Sequence, residues 1–148
     1  MRHFFIYLIE EEFAGHYFGR EAKMFSFFKE YQWTSYQDPS YSIVKKQVAY
    51  ITKEIPVFEM NQLLEMHLCS RPEYQRIGQI HKLELMRNKG NATLIVKSGF
   101  LEMNAAGSVE AETVFFEILR SYAPCFLAMD FQSNKYGWLN PVKERKFV

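Results

Sequence analysis

Cysteine is scarce in this chain: only Cys69 and Cys125 occur, far apart and with no CxxC neighbour, so neither a disulfide framework nor a redox pair is encoded, and two buried thiols are expected. Glycine and proline number only seven and five in 148 residues, while 48% of the chain is apolar; that composition excludes disorder and supplies one core. No sign of charge prevails. Eighteen basic side chains face seventeen acidic ones, interleaved along the chain, so the basic stripe that marks phosphate-backbone binding is missing. Long hydrophobic runs are absent too. The run ending at Ile9 is too short for a secretory core and stops at Glu10, Glu11 and Glu12, and nothing approaches the roughly 18 to 20 apolar residues a membrane helix needs. The chain is expected to stay in the cytoplasm, without a membrane contact.

What is plentiful is aromatic surface: fourteen Phe, nine Tyr and two Trp. Part of it must serve the core, and the remainder suits an interface, where large rings are enriched.

Periodicity assigns the elements. His3 to Ile9 reads as a buried strand. Helical spacing runs from His16 to Gln32, firming after Gly19. Asp38 is expected to cap the next helix, with Pro39 at its first position. That helix, Pro39 to Lys53, points Val44, Val48, Ile51 and Ile55 at the core and leaves Gln47 and Tyr50 off the stripe, on its border. A third helix spans Val57 to Leu68. Glu73 to Met86 mixes both periods and is assigned a short helix running into a strand. Ala92 to Lys97 and Phe100 to Asn104 form a hairpin whose Gly99 supplies the positive φ of a primed turn. After Ser108, the expected cap, a helix runs to Tyr122 and is stopped by Pro124. Cys125 to Phe131 is a buried strand, with Asp130 marking its exit. Ser133 to Gly137 is a turn, Trp138 to Pro141 is extended, and Lys143 to Lys146 is a charged tail. The sum is an α+β (mixed α/β) single domain over residues 1–148, with one central sheet and flanking helices.

Catalytic signatures do not assemble. His3, His16, His67 and His81 include no pair at the i, i+4 spacing of a helical zinc site. His67 with Cys69 lacks a second ligand pair, so no metal is expected. Cys125 opens an apolar strand, where a thiol's pKa rises and its reactivity falls. Ser98, in Lys-Ser-Gly, is the other nucleophile candidate. The glycines form neither GxGxxG nor a GK[ST] ending, so no phosphate cradle or cofactor is expected.

Two stretches carry more. Glu11-Glu-Phe-Ala-Gly-His-Tyr-Phe-Gly-Arg-Glu21 and Pro124-Cys-Phe-Leu-Ala-Met-Asp-Phe-Gln-Ser-Asn-Lys-Tyr-Gly-Trp-Leu-Asn-Pro-Val-Lys-Glu-Arg-Lys-Phe-Val148 resemble the sporulation inhibitor of replication family, SirA. The resemblance implies a protein-binding inhibitor that is not an enzyme, whose partner is the replication initiator DnaA, bound through its N-terminal domain. It also implies the docking residues: Phe13 and Tyr17 from the first motif, Gln47 and Tyr50 from the second helix. Spacing alone favours core over docking surface for Phe13, since most large rings are mostly buried, and favours exposure for Gln47 and Tyr50. Two other readings compete, a small cytoplasmic enzyme with an unrecognised pocket and a nucleic-acid module that stacks bases on exposed rings.

Overall fold

A computed structural model of the chain describes residues 1–17 and 19–140. The charged tail at Lys143 to Lys146 and the end of the extended piece lie outside the described residues. The described elements run β1 (Arg2–Leu8), α1 (Glu11–His16), α2 (Glu21–Trp33), α3 (Tyr41–Ile51), α4 (Val57–Leu68), β2 (Tyr74–Ile77), β3 (Ile80–Glu84), β4 (Asn91–Val96), β5 (Leu101–Ala106), α5 (Glu110–Tyr122), β6 (Phe126–Asp130) and β7 (Lys135–Trp138). This is the mixed α+β architecture expected. The strands form one sheet in the order β2-β3-β4-β5-β1-β6-β7, every neighbour antiparallel. The first strand therefore lies between two late ones.

Side chains alternate across a pleated strand, and β1 and β6 use both faces. Ile6, Leu8 and Phe126 point to one side, where they meet Met60, Leu64 and Leu68 of α4 and Phe115 and Leu119 of α5. Tyr7, Ile9, Leu127 and Met129 point to the other and meet Met24, Phe25 and Phe28 of α2 and Val48 of α3. Strands β4 and β5 are fully buried only on the α4/α5 side, their alternate residues being half-buried or, at Asn91, exposed. The α2/α3 layer therefore centres on the β1–β6 half of the sheet.

Several local expectations need correction. The first helical stretch is split: α1 ends at His16 and α2 begins at Glu21, with Gly19 at φ +83 between them. Glu21 secures the break, accepting the Gly19 N–H at 3.0 Å and the Trp138 indole N–H at 3.2 Å. Asp38 does not cap α3. Its carboxylate instead accepts the backbone N–H and the hydroxyl of Ser40, both at 2.8 Å, and this local turn delays the helix to Tyr41. Glu73 to Met86 contains no helix but the β2–β3 hairpin, turning at Gly78 with φ +61. In the β4–β5 hairpin Gly99 is not at positive φ; four residues, Lys97 to Phe100, make that connection, so no primed two-residue turn is required. Val109, not Ser108, holds the N-cap position of α5, although the Ser108 hydroxyl still accepts the Glu110 N–H at 3.4 Å. The expected turn at Ser133 to Gly137 gives way to edge strand β7 after a tighter turn at Asn134, φ +54. Asp130 does end β6, yet it is buried and accepts the Ser133 N–H at 3.2 Å. Cys69 is exposed rather than buried, and Cys125 is half-buried.

One buried polar trio has a measurable consequence. His81 is fully buried; its Nε2–H donates to Asn61 Oδ1 and its Nδ1 accepts from the Tyr74 hydroxyl, each at 2.7 Å. Both ring nitrogens are satisfied by a neutral imidazole. Burial, helped by the nearby Arg76 guanidinium, depresses the pKa from 6.5 to about 4. The folded pKa lies below the unfolded one, so the unfolded chain binds more protons in this window and stability falls as the pH drops through it. Between pH 7 and pH 5 the wild type should lose about 2 kcal/mol by this route. Urea midpoints across that range check it: His81→Gln should be much flatter than wild type.

Candidate functional site

The site begins with a clamp between distant segments. Lys53 N–H donates to Leu8 C=O at 2.7 Å and Glu10 N–H to Ile51 C=O at 2.9 Å, and Ile9 bridges Thr52. The exit of β1 is thereby tied to the exit of α3. Helix α1 starts immediately after this clamp, so its residues stand beside the last turns of α3.

The consequence for the four candidate residues is direct. Phe13, in α1, sets its ring 5.2 Å from that of Tyr50, edge to face at 63°, a favourable aromatic geometry. Phe13 and Tyr17 are half-buried against the α2/α3 core, while Gln47 is exposed and Tyr50 is 73% exposed. Tyr17, Gln47 and Tyr50 all line one groove of about 610 Å³, completed by Phe27 of α2 and by Ile43, Lys46 and Ile51 of α3. Phe13 does not line it, and instead supports Tyr50 from the side.

Three of these lining residues, Phe27, Ile43 and Lys46, escape a sequence reading limited to the core stripe and its border. Ile43, Lys46, Gln47 and Tyr50 follow the i, i+3, i+4, i+7 spacing of a second face on α3, and Ile43 is 60% exposed. That spacing was a usable signal. Phe27 was not legible, because its place depends on how α2 packs against α3.

The chemistry of the groove can be read from its lining. Its lining offers phenols, one amide and one ammonium among mostly apolar surface. Among the described residues, no three His, Cys, Asp or Glu side chains come together as a metal site would require. Cys125 lines a different cavity, of about 440 Å³, with Tyr122 and the exposed Glu11, Lys53 and Glu54; no described histidine lines it. Ser98 is exposed in the β4–β5 connection, its carbonyl accepting the Ile55 N–H at 2.8 Å. Among the described residues, no helix is long and apolar enough to cross a membrane.

Comparison with known proteins supplies the family. The family described as sporulation inhibitor of replication protein SirA matches residues 2–143. This chain belongs to the SirA family. It is also similar to the sporulation inhibitor of replication protein SirA of Bacillus subtilis (strain 168), 52% identical over 147 residues, which is 99% of each chain. An alignment that covers nearly all of both SirA chains places the groove-bearing segments within the shared length.

Proposed function

We propose that this protein inhibits the initiation of chromosome replication during sporulation by docking on the N-terminal domain of DnaA, with Phe13, Tyr17, Gln47 and Tyr50 at the centre of the contact. The observation that carries this reading is convergence: side chains from two segments some thirty residues apart in sequence meet at one groove, with the Phe13 ring edge to face against Tyr50 beside it. Rings presented beside a polar amide are the composition of a protein-docking centre. The family name supports the replication role, and the resemblance carried by the Glu11–Glu21 and carboxyl-terminal motifs supports DnaA as the partner.

The mechanism is occlusion and needs no chemistry, cofactor or metal. In the family, the initiator's N-terminal domain is the surface for self-association and helper binding. Covering it keeps the initiation complex from assembling at the origin. A contact at or below the standard size of about 1,200 to 2,000 Å² is sufficient, since a few anchors contribute most of the affinity. The protein acts as a single cytoplasmic domain.

Co-purification of the full chain with the N-terminal domain of DnaA from the same organism, followed by calorimetry, tests the reading. A saturable complex is expected. Retention on duplex DNA with a steep salt dependence, and no complex with the DnaA domain, would replace it with the nucleic-acid module.

A further inference from the structure

We infer that the groove selects a partner surface in which an apolar side chain is flanked by a carboxylate, and that Lys46 is the residue that reads the carboxylate. The inference rests on the docking reading above and specifies the chemistry of what docks.

Lys46 occupies the middle of the groove wall. Ile43 lies one turn before it on α3 and Tyr50 one turn after, with Phe27 contributed by α2. It is the one charged side chain among the described residues that line the groove. None of the ion pairs between described residues includes Lys46; they join Arg2 to Glu112, His3 and Lys97 to Glu102, and four pairs elsewhere. In the free protein water solvates this ammonium. A partner that fills the apolar space between Phe27, Ile43 and Tyr50 removes part of that water, and a desolvated charge left without a counter-charge opposes binding. A carboxylate opposite Lys46 reverses the effect and disfavours partners that place a cation or an apolar group there. The aliphatic stem of Lys46 meanwhile covers groove surface, so the same side chain serves both the apolar and the charged part of the recognition.

The test measures affinity for the N-terminal domain of DnaA with wild type, Lys46→Glu, Lys46→Met, Lys45→Glu and Tyr50→Ala, with circular dichroism to verify folding. Lys45 is exposed on the same helix and absent from the groove lining, so its reversal changes net charge equally without touching the site. Lys46→Glu should weaken binding about tenfold or more, and Lys46→Met severalfold, as expected when an interfacial charge is reversed or removed. Lys45→Glu should stay within about twofold, the effect of a charge outside the contact. In the Lys46→Glu background, changing one exposed carboxylate of the DnaA domain to lysine should restore affinity. If Lys46→Met binds as tightly as wild type, or Lys46→Glu no more weakly than Lys45→Glu, the carboxylate inference is overturned while a weakened Tyr50→Ala keeps the docking site. If Tyr50→Ala also binds like wild type, the docking reading itself falls.

Discussion

Gly90→Ala should lower the thermal midpoint by about 10 °C, within a range of roughly 4 to 20 °C, given roughly 2 to 4 °C per kcal/mol for a domain of this size. Gly90 has φ +94, and a Cβ built on it would stand 2.2 Å from the Ser108 carbonyl oxygen and 3.1 Å from that of Ala106. Both neighbours are backbone atoms, so no side-chain rotation relieves the overlap. The left-handed conformation costs alanine about 1 to 2 kcal/mol, and displacing a packed backbone adds about 1 to 3. The displacement would propagate, because three connections meet at this corner. Gly107, at φ +79, leaves room for Gly90 so closely that its own Cβ would approach the Gly90 Cα at 3.1 Å. The Arg2 guanidinium then ties the start of β1 to the same turn, donating to the Gly107 carbonyl at 2.9 Å and to buried Glu112 at 2.8 Å. Gly78→Ala separates strain from collision, since Gly78 also has positive φ, +61, but nothing within 4 Å of a Cβ. It should cost only about 1 to 2 kcal/mol. Equal urea midpoints for the two variants would contradict the account.

Local signals gave correct elements wherever one signal acted without a competitor. Helix α4 begins at Val57 and ends at Leu68 as periodicity predicts, because Pro56 separates it from the preceding segment and Met60, Leu64 and Leu68 repeat at four-residue intervals on the buried side. Errors arose where two signals competed. Asp38-Pro39 is a good helix start, but Ser40 offered the Asp38 carboxylate a nearer partner and the turn won. Ile77-Gly78-Gln79-Ile80 is a two-residue hairpin signal hidden in a segment whose apolar spacing fits neither period cleanly. Edge strand β7 was lost because Gly137 and Asn134 read as turn residues, whereas only Asn134 takes the positive φ. Strand order was beyond reach for another reason. That β1 lies between β5 and β6 is a long-range pairing, and no local pattern encodes it.

The candidate site divides along the same line. Gln47 and Tyr50 were legible as surface because they fall off the core stripe of α3, and the exposure of both agrees. The half-burial of Phe13 reconciles its two readings, since one part of the ring packs on the core while the ring also supports Tyr50. What brings α1 to α3 is the Ile9–Thr52 bridge, formed across a long sequence separation by residues with no distinguishing side-chain pattern. The family resemblance pointed to the four residues jointly; the clamp provides a physical reason for their proximity.

Replacing Tyr17 and Tyr50 together by alanine should therefore weaken binding to the DnaA N-terminal domain by more than about a hundredfold, while the fold survives. Truncation of one interface anchor costs about 1 to 3 kcal/mol, and a hundredfold corresponds to about 2.7 kcal/mol. The two rings line one groove, so their effects share neighbours and need not add. The stability cost should be small, because Tyr50 is 73% exposed and Tyr17 only half-buried. A useful control is Phe58→Ala. Phe58 is 76% exposed on α4, a helix packed on the opposite face of the sheet, and its loss should change affinity by less than about twofold if exposed rings matter only within the groove. Phe13→Ala should fall between them, since its ring lies against that of Tyr50 but does not line the groove. A double variant that folds normally and binds like wild type would remove the groove from the interface. Equal losses for Phe58→Ala and the double variant would instead indicate that hydrophobic surface anywhere on the molecule promotes the contact, and the docking would not be site-specific.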